Sequence, residues 1–152
     1  MSRTQHLPLY SAAYIFTREI YRARVKLPKT LKFDLGQEAF QSAIKILKCI
    51  VIANQARDKD PHVSRLLLEI EVQWMLLRLL YDLKGISEGE FKVLSERLSD
   101  ISKQSQAWAK WQKTNPITTP EKDQFKPKNI APVTDKDGAQ TDYPIWTPSS
   151  PE

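Results

Sequence analysis

The chain has 152 residues, 41% of them hydrophobic and 27% charged, which is enough for one compact core and too few for more than two ordinary domains. The most apolar stretch, Leu66 to Leu83, contains four charged residues, and this excludes a transmembrane helix. A single cysteine, Cys49, excludes an internal disulfide, and together with only His6 and His62 it makes no zinc-binding pattern. We therefore expect no membrane segment, no metal and no other cofactor. The first residues lack the apolar core of a secretory signal, so we expect a cytoplasmic protein.

Proline and charge divide the chain into a body, residues 1–113, and a tail, residues 114–152. Seven of the ten prolines follow position 115, and no hydrophobic periodicity survives there, so we expect a disordered or extended tail. The body holds 19 Lys and Arg against 12 Asp and Glu, whereas the tail holds four against six. A basic body favours a polyanionic partner, although a plain solvated surface would carry the same charge.

The first predicted helix covers about residues 9–27, where apolar residues recur at three- and four-residue spacing until Pro28. Several of its basic residues follow at four-residue intervals, so they stack on one face and repel one another unless an anion compensates. We interpret this basic ladder as a candidate ligand surface, with a solvated face as the alternative. The ladder consists of Arg18, Arg22 and Lys26, with Arg24 to one side.

The second predicted helix covers about residues 35–57 and begins after Asp34, whose carboxylate can cap it. Basic residues lie in the link before this helix and again on its exposed side. They extend the candidate surface for nucleic acid or another partner. The lysines concerned are Lys29, Lys32, Lys45 and Lys48.

The third predicted helix covers about residues 61–84, with Asp60 as its N-cap, Pro61 in its first turn and Gly85 after its end. Two apolar stripes run along it, so more than half of its circumference is apolar. Such a helix must be buried on two sides, which indicates a subunit interface or, alternatively, a central position in the fold. The interface candidates are Leu68, Val72, Met75, Arg78 and Leu79. Arg78 can pair with Asp82 or reach across a subunit boundary.

The fourth predicted helix covers about residues 88–112 and begins with the capping-box pair Ser87 and Glu90. Near its end, Trp108 and Trp111 lie three residues apart. They either seal one end of a helical bundle or stack on bases, and sealing is the commoner use of terminal aromatics. The four helices predict an all-α fold, an antiparallel up-down four-helix bundle.

No catalytic constellation is suggested by the sequence, so we expect a protein that is not an enzyme. There is no glycine-rich phosphate loop and no Ser-His-acid or Cys-His grouping. Glu69 and Glu71 would lie about 200° apart on a helix and so cannot share a proton.

Four phrases in the predicted helices and their links carry a resemblance to a known family. They are VKLPKTLKFDLGQE, ILKCIVIANQARDK, LLLEIEVQWMLLRLLYDLKGIS and LSERLSDISKQSQAWAKW. With them, residues 10–112 resemble the accessory variability determinant (Avd) family of diversity-generating retroelements, which lies within a wider four-helix-bundle group that includes the 23S rRNA intervening-sequence proteins. No counterpart is recognised for the tail.

The resemblance implies a non-enzymatic accessory protein that assembles as a basic homopentamer. It also implies binding to the retroelement reverse transcriptase and to RNA, with DNA as a second candidate, in support of mutagenic retrohoming. One alternative is a protein of the intervening-sequence type with another RNA or protein partner. Another is a helical oligomerisation module whose tail recruits a partner, since Phe125, Ile130, Tyr143, Ile145 and Trp146 are typical of segments that dock in extended form.

Overall fold

The computed structural model describes residues 7–115, and the expectations for the tail after Asn115 lie outside this range. Within it the chain forms four long helices and one short helix, with no strand. They are α1 (Pro8–Val25), α2 (Lys29–Lys32), α3 (Leu35–Gln55), α4 (Asp60–Asp82) and α5 (Glu88–Thr114). The prediction of an all-α, antiparallel four-helix bundle is confirmed. The long helices begin and end within two residues of their predicted limits, whereas the one-turn α2 was not predicted.

The four long helices form a closed square. α1 packs against α3 and α5, and α4 packs against the same two helices. Short links force neighbours to run in opposite directions. With four long helices that alternate in direction, the first turn of α1 and the last turn of α5 lie at the same end of the bundle. Between α1 and α3, the Thr17 hydroxyl donates to the carbonyl of Ala13 in its own helix, at 2.7 Å, and lies 3.5 Å from the carbonyl of Ala43 in α3.

The core is built from the apolar stripes that face the centre of this square. Phe16, Ile46, Leu77 and Ile101 come from the four different helices and are almost completely buried. Removing each such side chain from water stabilises the folded protein by roughly 1.5–3 kcal/mol. Trp108 is only 1% exposed and belongs to this core. Its burial rules out base stacking as the role of this tryptophan.

Three N-caps were predicted, and two of them are present. The hydroxyl of Ser87 accepts the N–H of Glu90 at 3.1 Å, and the Glu90 carboxylate accepts the N–H of Ser87 at 3.0 Å, which completes the capping box at the start of α5. The Asp34 carboxylate accepts the N–H of Leu35 at the start of α3.

The prediction of Asp60 as the N-cap of α4 is wrong by one residue. Lys59 is the N-cap, because its carbonyl accepts the first helical hydrogen bond, from the N–H of Val63 at 2.9 Å. Asp60 therefore lies in the first turn, where the Asp58 carboxylate accepts its N–H at 3.2 Å.

The side chain of Lys59 caps the C-terminal end of the preceding helix, α3. Its buried ammonium donates to the carbonyls of Ala53, Asn54 and Ala56 at 3.1, 3.0 and 2.8 Å. These carbonyls belong to the end of α3, where the last backbone acceptors of a helix lack partners of their own. A positive charge there is also favoured by the helix dipole. Lys59 thus caps the end of α3 with its side chain and is also the N-cap residue of α4.

None of the helices between residues 7 and 115 combines the length and the apolar character that crossing a membrane requires.

Candidate functional site

The basic ladder lies on the outer surface of α1. The side chains of Arg18, Arg22 and Lys26 are 49%, 61% and 68% exposed. A step of four residues turns an α-helix by about 400°, so each successive side chain drifts about 40° around the helix. This drift separates the two ends of the ladder: Arg18 borders the side of α1 that faces α3, whereas Lys26 reaches α5.

Two carboxylates meet the ladder: Glu19, which was not singled out in the sequence, and Glu90, which was predicted only as a helix cap. Glu19 Oε2 lies 2.8 Å from Arg22 Nη1 and 3.9 Å from Arg18 Nε. The Lys26 ammonium lies 2.9 Å from Glu90 Oε2. Ion pairs this exposed contribute about 0–1 kcal/mol each, so they relieve repulsion within the ladder but leave the cations available to a stronger anion. The three-residue spacing of Glu19 and Arg22 was the only sequence signal for these contacts.

Glu90 is the most constrained of these acids. It caps α5 and pairs with α1 at the same time. The backbone N–H of Ser87 and the Lys26 ammonium hold the pKa of Glu90 below its ordinary value. Lys26 is thereby tied to the start of α5.

The remaining predicted basic residues fall into two groups. Arg24 is half-buried, and its Nε donates to the carbonyl of Lys32 at 3.3 Å, which braces α2 against α1. Lys32 is half-buried as well, whereas Lys29 is exposed. On α3, Lys45 and Lys48 are exposed. The bundle therefore brings Arg18 and Lys48 to one cleft and gathers Arg24, Lys29 and Lys32 at the joint between α1 and α3.

That cleft lies between α1 and α3 and has a volume of about 570 Å³. Four aromatic side chains line it, and two pairs of rings are in contact. Tyr10 stacks on Tyr14 with ring centroids 6.5 Å apart, and Tyr21 meets Phe40 edge-on at 5.4 Å. The remaining lining residues are Thr17, Arg18, Ile44, Leu47, Lys48 and Val51. We call this feature the α1/α3 cleft.

The sequence did not reveal the α1/α3 cleft. Its only signal was the spacing of Tyr10, Tyr14 and Tyr21, which places them on one side of a helix. A cleft also requires the partner helix, and the pairing of Tyr21 with Phe40 follows from the register of α1 against α3.

The predicted interface residues lie on the outer side of α4. Three leucines and a methionine there are unusually exposed: Leu68 by 55%, Met75 by 54%, Leu79 by 38% and Leu83 by 53%. Val72 is half-buried between them. We call these five residues the α4 stripe. Arg78 pairs with Asp82, Nε to Oδ1 at 3.0 Å, which is one of its two predicted arrangements.

Residues 7–115 contain no group of three or more His, Cys, Asp or Glu side chains placed to hold a metal ion. Cys49 is half-buried on α3. Burial raises the pKa of its thiol, and the Glu69 carboxylate adds to the rise. The nucleophilic thiolate is therefore a minor form at neutral pH.

No protein-family model matches this sequence, and no curated protein matches it.

Proposed function

We propose that this protein is a non-enzymatic accessory protein of a diversity-generating retroelement. It forms a basic homo-oligomer that binds the reverse transcriptase together with template RNA or cDNA, and it supports mutagenic reverse transcription. The proposal rests on the resemblance of residues 10–112 to the Avd family and on one structural observation. Exposed cations occupy two neighbouring helices, with Arg18 and Arg22 on α1 and Lys45 and Lys48 on α3.

These four cations suit a nucleic-acid backbone better than a base edge. They stand on helices and are exposed, and all four are Lys or Arg, the residues that most often contact phosphates. Contacts of this kind give affinity through release of counterions and position the nucleic acid without specifying its sequence.

Binding to a structured template RNA across a salt series tests this surface. Neutralising Arg18→Gln with Arg22→Gln should weaken binding and make the slope of log affinity against log salt shallower by about 1 to 2, since each phosphate contact contributes about 0.7–0.9. Glutamine is preferred over glutamate here because Glu19 already lies between the two arginines.

The matched control removes the same charge from another helix. Arg97→Gln with Lys103→Gln changes two exposed cations of α5 and should leave both affinity and slope close to those of the unmodified protein. Equal losses in the two variants would show that net charge alone governs binding, and the assignment of the ladder would be wrong.

The reverse transcriptase is tested separately by reconstitution. Adding this protein to the enzyme and its template RNA should raise the yield of cDNA, and Arg18→Gln with Arg22→Gln should reduce that gain. RNA binding without any effect on the reverse transcriptase would favour the intervening-sequence type of protein instead.

The α4 stripe supports the oligomeric part of the proposal. Contiguous exposed apolar side chains are typical of surfaces that another protein covers. Leu68→Glu with Met75→Glu should shift sedimentation from the oligomer to the monomer, whereas Val93→Glu, at a 46% exposed position of α5, should not. The number of subunits, five, comes from the resemblance alone.

A further inference from the structure

The α1/α3 cleft is an apolar groove with a basic border. Its walls carry four aromatic rings and the aliphatic side chains of Ile44, Leu47 and Val51. A volume of about 570 Å³ lies within the range of sites that take up a ligand or several side chains. Tyr21 in its wall remains 49% exposed, so the cleft is open at the surface.

The charges at the cleft are of one sign. Arg18 and Lys48 line it and are exposed, and no acidic residue of the described part of the chain lines it. The chemistry that fits is therefore a short segment with two or three large apolar side chains and an adjacent carboxylate.

We propose that the occupant is the segment Asp142-Tyr143-Pro144-Ile145-Trp146 of the same chain. It joins three large apolar side chains to a carboxylate, and residues 137–152 contain three acidic residues and no lysine or arginine. The other apolar residues of the tail are a poorer match. Phe125 is flanked by three lysines and two acidic residues, so its surroundings are net positive, whereas residues 137–152 are net negative and suit Arg18 and Lys48 better.

The length and starting point of the tail allow this contact. α5 ends at Thr114, at the end of the bundle that also holds Tyr10 and Val51 in the cleft. The 26 residues from 116 to 141 can span up to about 85 Å. The longest helix, α5, has 27 residues and a length of about 40 Å, so the segment reaches every part of the cleft.

Site-specific photo-cross-linking of the full-length protein tests the proposal without nucleic acid or reverse transcriptase. A p-benzoylphenylalanine side chain in place of Trp146 should cross-link to residues of α1 and α3 that line the cleft, as identified by mass spectrometry. The same side chain in place of Phe125 is the control and should give a markedly lower yield at the cleft. Arg18→Glu with Lys48→Glu should reduce the yield from position 146 by about threefold or more, because Asp142 would then meet two negative charges in place of two positive ones.

Mixing protein of natural isotope composition with ¹⁵N-labelled protein distinguishes the source of the segment. Cross-links confined to chains of a single label support the proposal. Cross-links between labels would overturn it in favour of a second copy, and cross-links outside the cleft, or equal yields from positions 125 and 146, would overturn it as well. Circular dichroism of each variant verifies that helicity is retained.

Discussion

Lys26 Nζ lies 2.9 Å from Glu90 Oε2, and this contact joins the C-cap of α1 to the capping box of α5. The two residues are 64 positions apart, so the pair forms only when the bundle closes. Protonation of the Glu90 carboxylate would therefore weaken two interactions at once, the cap at the start of α5 and the contact between α1 and α5.

We expect acid to weaken the bundle partly through Glu90. The pKa of Glu90 is lowered in the folded protein, so its carboxylate contributes stability above its ordinary pKa of 4.5 and loses that contribution as the pH falls through the folded value. Between pH 7 and pH 3, the free energy of unfolding in urea should therefore fall less for Glu90→Gln than for the unmodified protein. Glu96→Gln, at an exposed position of α5, is the control and should follow the unmodified protein. Parallel curves for all three proteins would contradict the role given to Glu90.

Gly36 should not tolerate a larger residue. A β-carbon there would lie 2.6 Å from Leu27 Cδ1 and 3.1 Å from Arg24 Cγ. Gly36→Ala should lower the free energy of unfolding by about 1–3 kcal/mol, as for other overpacked sites. Gly89→Ala, where the nearest atom would be 3.9 Å away, should be neutral or slightly stabilising. If the clash is the cause, Gly36→Ala should be less harmful in a protein that also carries Leu27→Ala.

Gln73 is a polar residue buried inside the bundle. It is 0% exposed, and neither Oε1 nor Nε2 of its side chain has a hydrogen-bond partner among residues 7–115. Gln73→Met retains its length and removes both polar atoms, so we expect the free energy of unfolding to rise by about 1 kcal/mol or more. Gln41→Met, at an exposed position of α3, should change it little. A loss of stability in Gln73→Met would mean that the amide is hydrogen-bonded in solution.

Lys59 should contribute more to stability than an ordinary surface lysine. Lys59→Met retains the apolar stem but leaves the carbonyls of Ala53, Asn54 and Ala56 without their donor. We expect the free energy of unfolding, measured with heat or urea, to fall by about 2 kcal/mol. This is in the range for losing hydrogen bonds to a charged group. Lys92→Met on α5 is the matched change at an exposed site and should be nearly neutral. Similar losses in both variants would argue against the cap.

The parts of the structure that could be predicted from sequence are those set by local chemistry. Helix limits follow from caps such as Ser87 with Glu90, and the buried face of α5 follows from the spacing of Leu94, Leu98 and Ile101. A helix carries these signals within a few neighbouring residues. The same locality explains why the α4 stripe could be located in advance.

The candidate site depends on contacts between distant residues, and sequence spacing does not encode these. The apolar wall formed by Tyr21 and Phe40 requires the register between α1 and α3. The bond from Arg24 to the carbonyl of Lys32 requires the short α2, which was not predicted. The sequence showed the ladder as a row of three cations, whereas its partner Glu90 comes from α5, which is distant in sequence.

The positions of the first and last helical residues also determine how the bundle would unfold under mechanical force. Pro8 and Thr114 lie at one end, on helices α1 and α5 that are neighbours running in opposite directions. A pull applied through these two residues would peel α1 away from α5 one turn at a time. Only a few van der Waals contacts would resist at any moment, although together they hold the helices firmly. In an optical trap the bundle should therefore unzip at low force, whereas a load applied between Thr114 and the joint at Pro28 would shear α1 along α5 and should meet far greater resistance.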